Sequence, residues 1–329
     1  MSRNNQTQII QHIVLLGFQI PQSFKIPFFL LLFILYSVAL SSNITILILV
    51  SSSPSLHHPM FFFLSHLSLS DIILTTSIVP TMLHGILRGQ LSIPIPACIT
   101  QLQFLGIALT SECLILAMMS YDRYLAICYP FHYLSVMNSK LQIWLAICCW
   151  VLSFTISFLT VIFVSKLEFC GSNFISHFFC DFAPLLQLSC TDTSAVELEN
   201  LVVAVPTTLL PVLFITATYI CIFITILRIP SIKGRQKAFS TCSSHLSVVA
   251  IYFGTLVALY VAPSSDHSLN ANKVLSLLYA VVTPLFNPMI YCLRNKEIKT
   301  ALKKFLQFIF KTRGVSSCKI NTMGIVAFK

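Results

Sequence analysis

Seven apolar runs, each carrying only scattered polar residues, set the pattern of this chain. They lie near residues 27–50, 59–84, 97–121, 141–164, 198–228, 239–262 and 272–293. Each can cross a hydrocarbon core of about 30 Å as a helix of about 20 residues. The period-two alternation of a membrane barrel is absent. A backbone in lipid must satisfy its own hydrogen bonds, so the pattern predicts an all-α membrane protein, a seven-transmembrane helix bundle. Residues 1–26 then form an extracellular tail and 27–293 the seven-helix domain. That domain includes a long loop at about 165–197, and residues 294–329 form a cytoplasmic tail. In this tail Leu302, Phe305, Phe308 and Ile309 alternate with Lys299, Lys303 and Lys304. That spacing predicts a short amphipathic eighth helix along the inner leaflet, with residues 312–329 unstructured beyond it and Cys318 an inert thiol.

Composition supports lipid as the main solvent: 56% of residues are hydrophobic, 9% are charged, and mean hydropathy is +0.87. Arg3, Lys25, Arg88, Lys166 and Lys273 fall on the N-terminal side, and the other 15 of the 20 Lys and Arg fall opposite. The positive-inside rule therefore places the C-terminus in the cytoplasm and the N-terminus outside. The net charge of +10 reads as basic loops facing anionic membrane lipid, with no nucleic-acid partner. Residues 1–25 begin polar, so the first span serves as anchor in place of a cleaved signal. Glu168, Asp181, Asp192, Glu197, Glu199 and Asp266 collect outside. Asn5 opens a glycosylation sequon on the outer tail, whereas the one at Asn43 lies inside a span and is set aside.

Of 12 cysteines, Cys98, Cys170, Cys180 and Cys190 cluster on the outer side, which is oxidising, so two disulfides are expected there. Three pairings are open to them. A bond from the long loop to Cys98 would fold that loop over the bundle mouth as a lid. His177 beside Cys180 invites a metal, but the disulfide accounts better for the cysteine.

The charged groups within or beside spans carry the functional signal. In MMSYDRYLAIC (Met118–Cys128), Asp122 and Arg123 stand together where the third run ends. Charges at bilayer depth are expensive unless partnered, so this pair is a latch at the inner rim that a partner protein can break. Asp71 and Glu112 are the acids well inside spans. Tyr121-Asp122 matches half of an intramembrane aspartyl protease signature, but no Gly-x-Gly-Asp accompanies it, and the chain is read as no enzyme. A transporter or channel would show internal repeats or rings of pore-lining charge, and neither is seen. Asn287-Pro288 interrupts the seventh helix ladder, because proline lacks an N–H, and Pro206 and Pro211 do so in the fifth.

Five segments, LHHPMFFFLSHLSLSD (Leu56–Asp71), MMSYDRYLAIC, SHFFCD with LLQLSCTDT (Ser176–Thr193), KAFSTCSSHLSVV (Lys237–Val249) and PLFNPMIYCLRNKE (Pro284–Glu297), resemble vertebrate olfactory receptors. These are rhodopsin-like G-protein-coupled receptors, and the pattern is of the tetrapod type. The resemblance implies an odorant receptor that activates a heterotrimeric G protein of the olfactory stimulatory type and raises cAMP. It implies disulfides Cys98–Cys180 and Cys170–Cys190. It assigns activation to Asp122, Arg123, Tyr124, Tyr219, His245, Asn287, Pro288 and Tyr291, with His245 contacting Tyr219. It makes Asp71 and Glu112 a metal site for a sodium ion, helped by Asn43 and Asn287, with no other cofactor. The odorant would be small and mostly apolar. It would sit among Leu105, Gly106, Leu109, Thr110, Phe182, Val203, Thr207, Phe253, Leu256, Val257, Tyr260 and Leu277, with Leu105 where amine receptors carry an aspartate. Ser42-Asn43 replaces the family's Gly-Asn, and MSYDRY its MAYDRY. Tyr252-Phe253-Gly254 stands for Phe-Tyr-Gly, which would put a phenylalanine where the cavity-floor hydroxyl belongs.

Overall fold

The computed structural model describes residues 9–261 and 268–312; of Ala204, Tyr260, Val261, residues 268–271, Leu293, Arg294 and residues 308–312 only the backbone is described. Among the described residues, seven helices are long and apolar enough to cross a membrane. They are Gln22–Ser52, Pro59–Arg88, Ile95–Cys128, Ser139–Val164, Ser194–Arg228, Ile232–Val261 and a seventh span in three pieces. Those pieces are Ser268–Leu277, a π-helical turn at Leu278–Val282, and Thr283–Arg294.

Local chemistry sets the ends. The third helix runs past Asp122-Arg123 and stops at Tyr129, because a residue before proline, here Pro130, is pushed out of the helical region. Gly89, with φ of +84°, closes the second helix, and its N–H donates to the Gly85 carbonyl. Asn138 starts the fourth, its side chain accepting from the Leu141 N–H at 3.0 Å. Asn295 leaves the helical region and its Oδ1 accepts from Glu297 N at 2.8 Å, which separates the seventh span from a final helix, Lys296–Thr312. In that helix Ile298 and Ala301 are buried against the bundle, while Lys299, Lys303 and Lys304 are exposed.

The spans pack with the third at the centre, and large apolar side chains such as Trp144, Val151, Leu210 and Phe223 stay exposed on the outside of the bundle. In a soluble protein such a surface would aggregate; here it faces hydrocarbon. Interior positions are filled by Leu64, Leu67, Leu74, Leu116, Met119, Tyr252 and Tyr291.

A small sheet caps the end of the bundle at which the first helix begins. β1 (His12–Leu15) pairs antiparallel with β2 (Leu91–Pro94) and parallel with β3 (Phe174–Ile175), giving the order β2-β1-β3. Ile13 and Leu15 are buried beneath it. From Ile9 onward the N-terminal segment is held to the bundle by this sheet, and the first helix begins at Gln22, a turn before the expected end of the tail at residue 26. Asn5 and Asp266 lie outside the described residues, as do Cys318 and the rest of 313–329.

Candidate ligand cavity and activation latch

The long loop lies over the bundle mouth. Cys98 and Cys180 are bonded, as are Cys170 and Cys190. The first bond fixes the loop to the start of the third helix. Gln101, one turn on, strengthens it: its Oε1 accepts from the Cys180 N–H at 2.8 Å, and its Nε2 donates to the Ser77 carbonyl at 2.6 Å. Nothing but its place one turn from Cys98 marks Gln101 in the sequence.

Beneath the loop is a cavity of about 880 Å³, in the range of small-molecule sites. Of the residues expected to line it, Leu105, Gly106, Leu109, Thr110, Phe182, Thr207 and Leu256 do so. Val203, Phe253 and Leu277 are not in the lining, and Val257 is 59% exposed on the outer surface of its helix. The side chain of Tyr260 lies outside the described residues. The helical phase explains the misses: the face of the sixth span toward the cavity carries Tyr252, Leu256 and Leu259, spaced three to four residues, and Val257 falls a hundred degrees away.

The Tyr252-Phe253 exchange resolves differently from the expectation. Tyr252 itself lines the floor, donating its hydroxyl to the Leu109 carbonyl at 2.8 Å, with Cys113 Sγ 3.1 Å from the same oxygen. Phe253 packs edge-on against it in the core. The floor keeps its hydroxyl, supplied one residue earlier. Gly106 has a second role: a Cβ there would overlap the Ser157 hydroxyl and lie 3.1 Å from Ser157 Cβ, so its hydrogen lets the third and fourth helices touch.

Polar groups gather at the loop side of the cavity, more than the apolar expectation allowed. His177, Ser176, Asp181, Glu197, Asn272 and Ser276 all face it. Burial, and then the nearby Lys273 ammonium, push the His177 imidazole down to about 3, so it is neutral at physiological pH. Burial raises the Asp181 carboxyl above its ordinary range, although the Phe182 N–H that it accepts at 2.8 Å opposes the shift. Glu199, expected outside, is buried in the fifth helix, where it accepts from the Thr160 hydroxyl at 3.0 Å.

Deeper in the bundle, Asn287 Nδ2 donates to both Asp71 oxygens, at 3.0 and 3.1 Å, and to Glu112 Oε1 at 3.2 Å. The amide thus joins the second, third and seventh helices through two fully buried carboxyl groups. Glu112 Oε2 and Asn287 Oδ1 are buried acceptors without partners among the described residues. Asn43 presents a buried Oδ1 without a partner among the described residues, and its amide nitrogen is engaged with the first and seventh spans. Its Nδ2 donates to Ala39 O at 3.0 Å and to Pro284 O at 2.9 Å. The Pro284 carbonyl lacks its usual helical donor because residue 288 is proline. Pro288 thus interrupts the ladder inside the helix Thr283–Arg294, and a second irregularity, the π-helical turn Leu278–Val282, ends immediately before Thr283.

At the opposite end, Arg123 Nε donates to Asp122 Oδ2 at 2.8 Å, and its Nη2 reaches the same oxygen in a closer ion pair. Tyr133, in a one-turn helix after the third span, donates its hydroxyl to Asp122 Oδ1 at 2.7 Å. Burial and the adjacent carboxylate push the Tyr133 phenol upward, so it remains a donor. Sequence reading missed Tyr133, whose partner is 11 residues away across a turn. Tyr219 and His245 Nδ1 are 2.7 Å apart, and His245 Nε2 lies 3.1 Å from the Leu116 carbonyl. With Nε2–H donating to that carbonyl, Nδ1 accepts from Tyr219. Tyr124 stacks on Tyr121, and Tyr291 is buried in the core.

A seven-helix membrane bundle with a cavity of small-molecule size at one end and a buried ion pair at the other has the form of a membrane receptor. A family profile described as olfactory receptor matches residues 32–308. Olfactory receptor 226 of Rattus norvegicus is 44% identical over 312 residues, covering 93% of this chain and 95% of its own. Olfactory receptor 6P1 of Homo sapiens is 42% identical, with 92% and 95% covered, and olfactory receptor 6B1 of Homo sapiens is 43% identical, with 92% and 97% covered. The chain belongs to the olfactory receptor family, a family of receptors and not of enzymes.

Proposed function

We propose that this receptor binds a small, mostly apolar odorant in the cavity under the disulfide-tied loop, and that binding opens the Asp122–Arg123 latch to an olfactory stimulatory G protein, raising cAMP. The N-terminal sheet would face the exterior of the plasma membrane and the Lys296–Thr312 helix the inner leaflet, with its lysines toward lipid headgroups. One observation carries this reading: the sixth helix bears both Tyr252 at the cavity floor and His245, which bonds the third and fifth helices nearer the latch. A ligand that moves Tyr252 therefore moves the His245 contacts with it. A helix with two such attachments is the kind of two-state element that couples distant sites.

Cells expressing the chain with the olfactory G protein and a cAMP reporter test the proposal. An odorant response is expected from the native chain. Arg123→Ala should abolish it at unchanged surface density, and a normal response from that variant removes the latch. A sodium ion suits the Asp71–Glu112 site, because Glu112 Oε2 and Asn287 Oδ1 are unpartnered oxygens beside buried carboxyls whose charge calls for a cation. Replacing sodium by choline should lower the melting temperature of purified receptor, and Asp71→Asn should erase that dependence.

A further inference from the structure

The loop-side wall of the cavity holds an arrangement that neither packing nor the latch uses. His177, from the long loop, is 5% exposed, and its Nδ1 is buried with no hydrogen-bond partner among the described residues. Its other nitrogen, Nε2, lies 3.2 Å from the Ser276 hydroxyl on the seventh span. One turn earlier, Asn272 also lines the cavity, and its Oδ1 is likewise buried and unpartnered. Two unmatched polar atoms on one wall of an otherwise packed protein are unusual, since each forfeits about 1–3 kcal/mol if nothing occupies it.

We propose that His177 and Asn272, with Ser276 holding the imidazole, form a subsite for the hydroxyl group of an alcohol or phenol whose carbon body lies on Leu105, Leu109 and Leu256. The inference rests on the odorant-receptor reading of this cavity.

The chemistry excludes the neighbouring classes. Asn272 Oδ1 is an acceptor, so the ligand must bring a donor, and an aldehyde, ketone or ether brings none. A carboxylate would face the carboxyl groups of Asp181 and Glu197 on the same lining, with no lysine or arginine among the described lining residues to balance it. Lys273, the nearby cation, is committed to the Gly17 carbonyl at 2.8 Å. An ammonium would be drawn toward Asp181 and Glu197 and away from the His177 wall, which lies beside the Lys273 ammonium. A hydroxyl is neutral, and it suits His177 in either tautomer. Its O–H reaches a bare Nδ1, and its oxygen accepts from an Nδ1–H. The imidazole stays neutral because the loop buries it, so it does not repel a neutral ligand.

The test is a set of alcohols and phenols, each paired with its own methyl ether, given to reporter cells bearing the full chain and the olfactory G protein. Alcohols are expected to act at concentrations at least about 10-fold below their ethers, the factor that about 1.4 kcal/mol supplies. His177→Phe keeps a ring against Phe178 and Phe179, whose centroids lie 4.6 and 4.4 Å away, and removes both nitrogens. Asn272→Leu keeps volume and removes the acceptor. Each should weaken alcohols by about 10-fold and leave the ethers within about 3-fold, with surface density followed by flow cytometry. Equal potency of alcohols and ethers in the native chain overturns the subsite, as does an equal loss of both classes in the variants. If one variant fails to reach the surface, the other and the native alcohol-to-ether ratio still decide. Silence from every compound at normal surface density overturns the receptor reading and the subsite together, whereas responses with no hydroxyl preference overturn the subsite alone.

Discussion

Tyr252 shows how much a single hydroxyl is asked to do at the cavity floor. The Leu109 carbonyl that accepts it sits within the third helix and already serves the helix ladder, so loss of the phenol oxygen leaves no orphan on that side. The penalty of Tyr252→Phe is then that of this buried hydrogen bond and the weaker Cys113 thiol contact, about 1–2 kcal/mol. Purified Tyr252→Phe receptor should melt a few degrees lower, and its odorant response should weaken. Phe253→Tyr should restore neither, because residue 253 packs in the core beside the floor and not on it. Recovery of function in the Tyr252→Phe, Phe253→Tyr double variant would show that the two positions are interchangeable, contrary to the geometry.

Among elements, the seventh span carries a hydrogen-bond vacancy that another helix fills. Pro288 cannot donate to the Pro284 carbonyl, and Asn43 of the first span does so at 2.9 Å. Asn43→Leu should destabilise the receptor by about 1–3 kcal/mol by leaving that carbonyl unmatched. Pro288→Ala returns a backbone N–H to the ladder, so adding it to Asn43→Leu should recover part of the loss. A double variant no more stable in thermal melting than Asn43→Leu would exclude this account. The same elements show what a sequence discloses. The seven spans were legible because lipid demands long apolar runs, and the latch and acid pair because charges are rare inside such runs. Asn43 reads as an oxygen donor near the acid pair, but the bond from its amide nitrogen to Pro284 was not legible, since the donor it replaces is an absence created by a proline 245 positions on. β1 went unread because four alternating residues carry little signal without the loops that complete the sheet. Tyr133 and Gln101 are polar residues near helix ends, and only the fold gives them Asp122 and Cys180.

For the whole molecule, the cap over the cavity is one assembly drawn from four parts of the chain. β1 bonds to both loops, Gly17 N donates to the His177 carbonyl at 3.0 Å, and Lys273 holds the Gly17 carbonyl. Phe18 stacks on Phe178 at 5.0 Å, beside His177. Burying His177 in this cap makes its closure depend on pH. In the unfolded chain the imidazole binds a proton near pH 6.5; in the folded cap it does so only near 3. Between those values the unfolded state holds more protons, so the stability linked to His177 is complete above about pH 6.5 and is lost as pH falls toward 3, by up to about 1.4 kcal/mol per pH unit. Asp181, held above its ordinary range, works in the opposite sense, taking up its proton more readily when folded. The two are separated by comparing variants at equal pH. Native receptor in detergent should melt at a lower temperature at pH 5 than at pH 7.5, and His177→Phe should show a smaller drop. If both chains lose the same number of degrees, the cap does not close on a neutral histidine, and the pH response belongs to other groups.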